Sequence, residues 1–128
     1  MKRFLKYILL LAALAAIALA IDYRNVTRKE KLLFSAISQI GGRSGSIPWW
    51  PLGTEYRITL TSIPTREQLT QLKIANTMRG WVGIAFEDCD LTADDRDRLR
   101  EVLVQCHLYV VQDGKMIPLE DADSKRTN

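Results

Sequence analysis

The sequence predicts an α/β fold: an N-terminal transmembrane helix followed by small repeated strand-helix units with a mainly parallel sheet and a C-terminal hairpin. Three observations lead to this prediction. An uncharged apolar run lies near the N-terminus, and after it strand-like alternation switches repeatedly with helical periodicity. Apolar positions also recur, since Ile58, Ile84 and Val110 lie 26 residues apart. Strands that alternate with helices usually pair in parallel, because each helix returns the chain to the end of the sheet at which the previous strand began.

The length and the charge of the chain limit the classes of protein to which it can belong. The chain has 128 residues, and its 18 Lys and Arg residues exceed its 15 Asp and Glu residues only slightly. Roughly a hundred residues remain after the N-terminal segment, which is a common size for one domain. The basic residues are spread along the chain, so we expect no nucleic-acid partner. Two cysteines are too few for a disulfide framework.

Residues 1–22 are expected to be a membrane anchor or a signal segment. The residues from Tyr7 to Ile21 carry no charge, and basic residues precede them. At ~1.5 Å per residue, residues 4–21 extend over about 27 Å, which is enough to cross the apolar core of a bilayer. We therefore expect the lipid bilayer to be contacted through residues 4–21 of an uncleaved anchor.

A cleaved signal peptide explains the same apolar run. Ala18-Leu19-Ala20 has the small-x-small pattern of a cleavage site, and cleavage after Ala20 would release a soluble exported domain. The orientation of an uncleaved anchor depends on the charges at its two ends, and both ends are basic. The basic start is typical of a signal anchor, so we expect a single-pass membrane protein with its domain on the exported side.

Residues 23–42 are predicted to form an amphipathic helix that continues from the membrane segment. The apolar residues between Leu33 and Ile40 follow the i, i+3, i+4, i+7 spacing of one helix face. Gly41-Gly42 then supplies the left-handed residue with which many helices end.

Residues 43–54 are predicted to be a stiff Pro/Trp link. The stretch "IPWWPLG" within it contains the namesake motif of the PWWP chromatin-reader domain. Such a reader places the motif inside a small β-barrel, whereas here a helix precedes it and strand-helix units follow, so we reject that identity. The prolines favour an extended chain, and we expect at least one of Trp49 and Trp50 to be buried against the first unit.

Residues 55–119 are predicted to form the α/β domain, and the polar residues 120–128 a disordered tail. Thr65 begins a capping box, and Thr92 caps the second helix of the domain. Asp113-Gly114 predicts the two-residue turn of a hairpin. The predicted strands, each rich in β-branched and aromatic residues, are Tyr56–Thr61, Trp81–Phe86, His107–Val111 and Lys115–Ile117.

The second of these units resembles a leucine-rich repeat. The stretch "WVGIAFEDCDL" approaches the consensus L-x-x-L-x-L-x-x-[N/C]-x-L, and the preceding unit, "YRITLTSIPTREQLTQL", lacks the Asn/Cys position. The five matching residues are Trp81, Ile84, Phe86, Cys89 and Leu91. The order of segments is similar to that of bacterial membrane-anchored proteins that carry such repeats.

This resemblance implies a function and a structural role for one cysteine. Leucine-rich repeats stack side by side and present an extended surface for binding. A short, degenerate protein of this kind is expected to act as a protein-interaction module. Cys89 is implied to lie in the turn after its strand, where it hydrogen-bonds the backbone of the neighbouring repeat.

No set of side chains in the sequence predicts catalysis, a metal site or a bound cofactor. His107 is the only histidine and follows Cys106, but successive strand residues point to opposite faces, which separates a Cys-His pair. A zinc site formed by Cys89, Cys106 and His107 is not expected, because the two cysteines are predicted at opposite ends of the sheet and no Cys-x-x-Cys pair occurs. The acidic stretch "EDCDLTADDRD" lacks the Gly and the final Glu of a calcium loop, and helix capping at Thr92 explains its acids. We therefore expect a non-enzymatic protein without a cofactor.

The candidate site is one face of the predicted sheet. If the apolar strand positions point at the helices, the positions between them share the other face. Aromatic and cationic side chains there suit protein recognition. The candidate partner-binding residues are Arg57, Thr59, Trp81, His107 and Tyr109. In the alternative interpretation, the N-terminal helix or the Trp49/Trp50 link covers this face as ordinary core.

The predicted function is that of a membrane-anchored, non-catalytic protein-interaction module. The alternative is an exported soluble domain, released by cleavage after Ala20, that binds a peptide or a small ligand.

Overall fold

The computed structural model describes residues 1–122, so residues 123–128, most of the predicted disordered tail, lie outside the described part of the chain. The helices are α1 (Lys2–Gln39), α2 (Arg66–Leu72) and α3 (Ala93–Val102), and a 3-10 turn (Lys73–Thr77) follows α2. The strands are β1 (Arg43–Trp49), β2 (Gly53–Leu60), β3 (Gly80–Glu87), β4 (His107–Gln112) and β5 (Lys115–Pro118).

α1 joins the predicted membrane segment and the amphipathic segment in a single helix. It contains one window that is long and apolar enough to cross a membrane, and none of that window is buried within the protein. The buried residues of α1, Leu33, Ala36 and Ile37, lie in its C-terminal part. The helix ends as predicted, because Gly41 adopts a φ of 79° and the N–H groups of Gly41 and Gly42 donate to carbonyls of the last turn.

The five strands are ordered β1-β2-β3-β4-β5 in one sheet. β2 pairs with β3 and β3 with β4 in parallel, through the predicted strand-helix units. β1 pairs with β2 and β5 with β4 in the antiparallel direction. The prediction of a mainly parallel sheet is therefore wrong, and the sheet is mixed. The connections at residues 50–52 and 113–114 are too short for a crossover, so they return the chain antiparallel.

β1 covers residues 43–49 of the segment 43–54 that was predicted as a Pro/Trp link, and residues 53–54 begin β2. Pro48 lies opposite Thr54 in the ladder, and all seven residues of the strand are exposed. Proline is tolerated here because one side of an edge strand needs no ladder partner. The predicted burial of a tryptophan is also wrong, since Trp49 is 65% exposed and Trp50 is 39% exposed.

The hydrophobic core lies between one face of the sheet and the helices. Ile58 pairs with Ile84, as the 26-residue spacing predicts, and both are buried. Val110 instead pairs with Phe86, so the second strand-helix unit is two residues shorter than the first. The largest fully buried side chains are Tyr56, Phe86, Leu33, Ile37, Ile58, Leu60, Leu72, Ile84, Leu99, Leu103 and Leu119.

The predicted helix starts and the predicted hairpin turn are confirmed. Thr65 and Thr92 each accept a hydrogen bond from the backbone N–H three residues later, within a capping box. Asp113 and Gly114 have φ values of 51° and 72°, the left-handed pair that a two-residue hairpin turn requires. These local signals fix where the strands around the candidate site begin and end.

Candidate functional site

The face of the sheet opposite the helices, called the open face below, carries the candidate site. α1 packs on the core side through its buried C-terminal residues, so it does not cover the open face. Nor does β1 cover it, because β1 extends the sheet sideways. The open face comprises the strand residues Glu55, Arg57, Thr59, Trp81, Gly83, Ala85, Glu87, His107, Tyr109 and Val111, with Arg43, Gly45, Ile47 and Trp49 on β1 and Met116 and Pro118 on β5.

Three aromatic side chains from β3 and β4 form a cluster on the open face. The rings of Trp81 and His107 stack, with centroids 5.4 Å apart and planes 18° from parallel. The Tyr109 ring lies 6.4 Å from Trp81 at 44°. The indole lies flat across Gly83, where a Cβ atom would overlap the ring. Glycine at position 83 is therefore what allows Trp81 to reach His107 on the next strand.

A shallow groove of about 520 Å³ lies beside this cluster. Gly83 and Ala85, the small residues of the central strand, are buried in it. Arg57 and Thr59 line the groove from β2, because the register places them opposite Gly83 and Ala85. Val111 and Met116 line it from β4 and β5. The groove thus has a cationic and polar side and an apolar side.

Two ion pairs set the charge around the groove. Arg57 donates to Glu55 at 2.6 Å on the same strand. Arg43 reaches over β2 to Glu87 at 2.7 Å. Both pairs are largely exposed, so each contributes little to stability. They do leave charged groups of both signs at the margin of an aromatic and apolar surface, which is the usual composition of a protein-binding patch.

The structure divides the five predicted site residues into two groups. Trp81, His107 and Tyr109 form the aromatic cluster, whereas Arg57 and Thr59 line the neighbouring groove without ring contacts. The sequence prediction missed residues of the open face on the central and the outer strands. Glu55 and Glu87 follow from the strand alternation once the strands are extended by a residue or more, but Arg43 and Met116 depend on outer-strand pairing. The missed residues are Glu55, Glu87, Arg43, Gly45, Ile47, Trp49, Met116 and Pro118.

The cysteines lie away from the open face and are free thiols. Cys89 follows β3, and its Sγ donates to the carbonyl oxygen of Leu60 at the end of β2, at 3.8 Å. Burial raises the pKa of Cys89, and burial raises that of Cys106 to about 11. Both thiols are therefore protonated at neutral pH and poor nucleophiles.

The acidic stretch at the start of α3 helps to cap this helix. The Asp95 carboxylate accepts hydrogen bonds from the hydroxyl and the backbone N–H of Thr92, at 2.8 and 3.0 Å, and these bonds lower its pKa. Among residues 1–122, no group of three His, Cys, Asp or Glu side chains is arranged to hold a metal ion. The charge of this segment thus has a structural explanation in the helix cap.

Comparisons of the chain with protein-family models, with curated proteins and with solved structures find no match. Function is therefore inferred from the molecule's own geometry.

Proposed function

We propose that this chain is a membrane-anchored, non-catalytic protein-interaction module with leucine-rich-repeat-like units, which binds a polypeptide through the open face. The observation that carries the proposal is the cluster of Trp81, His107 and Tyr109 beside a groove that no helix of the described chain covers. Rigid aromatic side chains provide large contact areas at a low cost in conformational entropy, which makes them common anchors of protein interfaces.

The shape of the groove favours a polypeptide as the partner. The indole of Trp81 covers Gly83, so the floor of the groove beside the ring is formed by the small side chain of Ala85. The exposed ion pairs Arg57–Glu55 and Arg43–Glu87 place cations and anions at the groove, which suits a chain with mixed charges.

The repeat-like character is supported by the stacking of consecutive units. β2, β3 and β4 are parallel neighbours joined by helical segments, and Cys89 reaches back to the preceding unit. A solenoid of this kind buries its core only when neighbouring units stack, and terminal elements cover its ends. Here α1 and the β4–β5 hairpin serve as those terminal elements.

The position along α1 of its first contact with the domain favours a second function. None of residues 1–21 is buried, and Asp22 is the first residue of α1 that bonds to the domain. Cleavage after Ala20 would therefore remove no core contact. The alternative proposal is an exported soluble domain that binds a peptide or a small ligand through the same open face.

Site-specific photocrosslinking tests the proposed binding surface. A photoreactive residue at Thr59, inside the groove, is expected to crosslink a discrete protein partner in intact cells. The same residue at the exposed Glu67, on α2 and far from the open face, is the matched control. If both positions capture the same proteins with equal yield, the open face is not the binding surface.

Two aromatic truncations then test the cluster. Trp81→Ala and Tyr109→Ala are each expected to lower partner affinity by roughly 30-fold, because an interface anchor contributes about 2 kcal/mol or more. Affinity is measured by titrating the crosslinked partner, once identified, against the purified protein. Gly83→Ala keeps every aromatic side chain but displaces the indole from His107, so it is expected to weaken binding without removing a core side chain. Unchanged affinity in all three variants would reject the cluster as the site.

A further inference from the structure

The tip between β1 and β2 is the most exposed apolar part of the folded domain. We call residues 47–52 the interfacial loop. Trp49 and Leu52 are 65% and 76% exposed, and Ile47 is 46% exposed. Such a concentration of large apolar side chains on a small surface is unfavourable in water and usually marks a contact surface.

Hydrogen bonds and a ring contact hold the interfacial loop against α1 at Asp22 and Tyr23. The indole Nε1 of Trp50 donates to the Asp22 carboxylate at 3.1 Å, and the Trp50 ring packs edge-on against Tyr23 with centroids 5.4 Å apart. Arg79 donates to both carboxylate oxygens, at 2.6 and 3.0 Å, and to the carbonyl of Pro51 at 2.9 Å. This set of bonds holds the loop beside residue 22.

Residue 22 is where the apolar run ends. Ile21 is the last residue of that run, and Asp22 follows it directly. The Arg79 hydrogen bonds keep the pKa of Asp22 below its ordinary value, so a charged carboxylate marks the boundary of the apolar segment. If residues 4–21 cross a bilayer, Asp22 lies at the edge of its apolar core, and the loop attached to it lies at the same depth.

We propose that the interfacial loop inserts Trp49 and Leu52 into the headgroup and upper acyl region of the bilayer that α1 crosses. Tryptophan is enriched at this depth because its ring is largely apolar and its N–H is polar. The basic residues Arg24, Arg28 and Lys31 occupy the next turns of α1, where they face the anionic lipid phosphates. The occupant of this surface is therefore the lipid bilayer, and the inference rests on the proposed membrane anchor.

The consequence is a second point of attachment between the domain and the membrane. A single helix can rotate about its axis and change its tilt, but a helix with a laterally displaced loop at the surface has one preferred orientation. β1 and β2 connect the loop directly to the sheet. Lipid contact of the loop thus sets the direction in which the open face points.

Depth-dependent fluorescence quenching tests this inference on the full chain in phosphatidylcholine/phosphatidylglycerol vesicles. The protein has three tryptophans, so Trp81→Phe leaves only the two of the interfacial loop. In this variant we expect emission to be quenched at least about twofold by lipids brominated near the top of the acyl chain, and less by lipids brominated near the bilayer centre. The matched control, Trp49→Phe with Trp50→Phe, leaves only Trp81, and we expect iodide in the water to quench it instead of the lipids.

A further variant and one fractionation step separate the possible failures. Adding Trp49→Gln and Leu52→Gln to Trp81→Phe leaves Trp50 in place, and lipid quenching is expected to fall at least about twofold because the apolar side chains are lost. Extraction of the vesicles with alkaline carbonate reports the anchor separately. If the chain stays in the membrane but the loop tryptophans are quenched by iodide as strongly as Trp81, this inference is overturned while the anchor stands. If carbonate releases the chain, both the anchor and the inference fail.

Discussion

A single amide, that of Asn76, joins the 3-10 turn after α2 to the chain between α3 and β4. Its Nδ2 donates to the carbonyl of Val102 at 2.7 Å, and its Oδ1 accepts from the backbone N–H of Gln105 at 3.1 Å. Asn76→Leu would leave both backbone groups without this partner. We expect the free energy of unfolding to fall by about 1–2 kcal/mol, because the net contribution of each lost hydrogen bond is about 0.5–1.5 kcal/mol. Urea denaturation of the detergent-solubilised protein, followed by tryptophan fluorescence, measures the change.

Thr70→Ala is the control for Asn76→Leu. The exposed Thr70 hydroxyl donates only to the carbonyl of Arg66 within α2, so its removal is expected to change stability by less than about 0.5 kcal/mol. Equal losses for the two variants would show that Asn76 is an ordinary surface residue. The sequence could not single out this residue, because its partners lie 26 and 29 positions away and an asparagine in a polar stretch has no local signature.

At the scale of elements, the structure confirms the predictions that depend on residues close together in the sequence. The capping boxes at Thr65 and Thr92 and the Asp113-Gly114 turn were predicted correctly, because each involves residues no more than a few positions apart. β1 was missed because its sequence, "RSGSIPW", contains a glycine, a proline and two serines and buries no side chain. It becomes a strand only because β2 offers a free edge, and a pairing of that kind is invisible to periodicity.

A hydrogen bond from the Tyr56 hydroxyl to Glu30 at 2.7 Å joins β2 to α1. Tyr56→Phe is expected to lower the free energy of unfolding by about 0.5–1.5 kcal/mol at neutral pH, the usual net value of such a bond. The effect should depend on pH. Burial first, and then the bond to Glu30, raises the pKa of Tyr56 from 10.0 to about 12. A raised pKa means that the folded state favours the protonated phenol.

The stabilisation from Tyr56 is therefore complete below pH 10 and is lost as the pH rises from 10 through 12. Denaturation series at pH 8, 10 and 11 measure this loss, which Tyr56→Phe should reduce. Tyr23→Phe is the matched control, since Tyr23 is exposed and makes only an edge contact with Trp50. The same pH profile in both variants would contradict the assignment of this titration to Tyr56.

At the scale of the whole molecule, one face of the sheet meets the helices and the other is left for a partner. Strand alternation was enough to place Arg57, Thr59, Trp81, His107 and Tyr109 on one side, and all five do lie on the open face. Which of them touch could not be predicted. The stacking of Trp81 on His107 depends on the parallel register and on the space above Gly83, and both are set by the packing of the complete sheet.

At this scale, the main structural question is whether α1 is cleaved after Ala20. It runs without interruption from Lys2 to Gln39, passing through the possible cleavage site at Ala18–Ala20 into the core. For an anchored module we expect intact-mass analysis of expressing cells to find the full-length chain in the membrane fraction. A soluble chain beginning at Ile21 would instead identify the exported form.

Because residues 1–21 contribute no buried side chain, the cleaved chain should unfold at nearly the same urea concentration as the intact one. Stability therefore cannot distinguish the two forms, and mass can. Protease treatment of spheroplasts completes the test, because an anchored domain on the exported side is digested there and one on the inner side is protected until lysis.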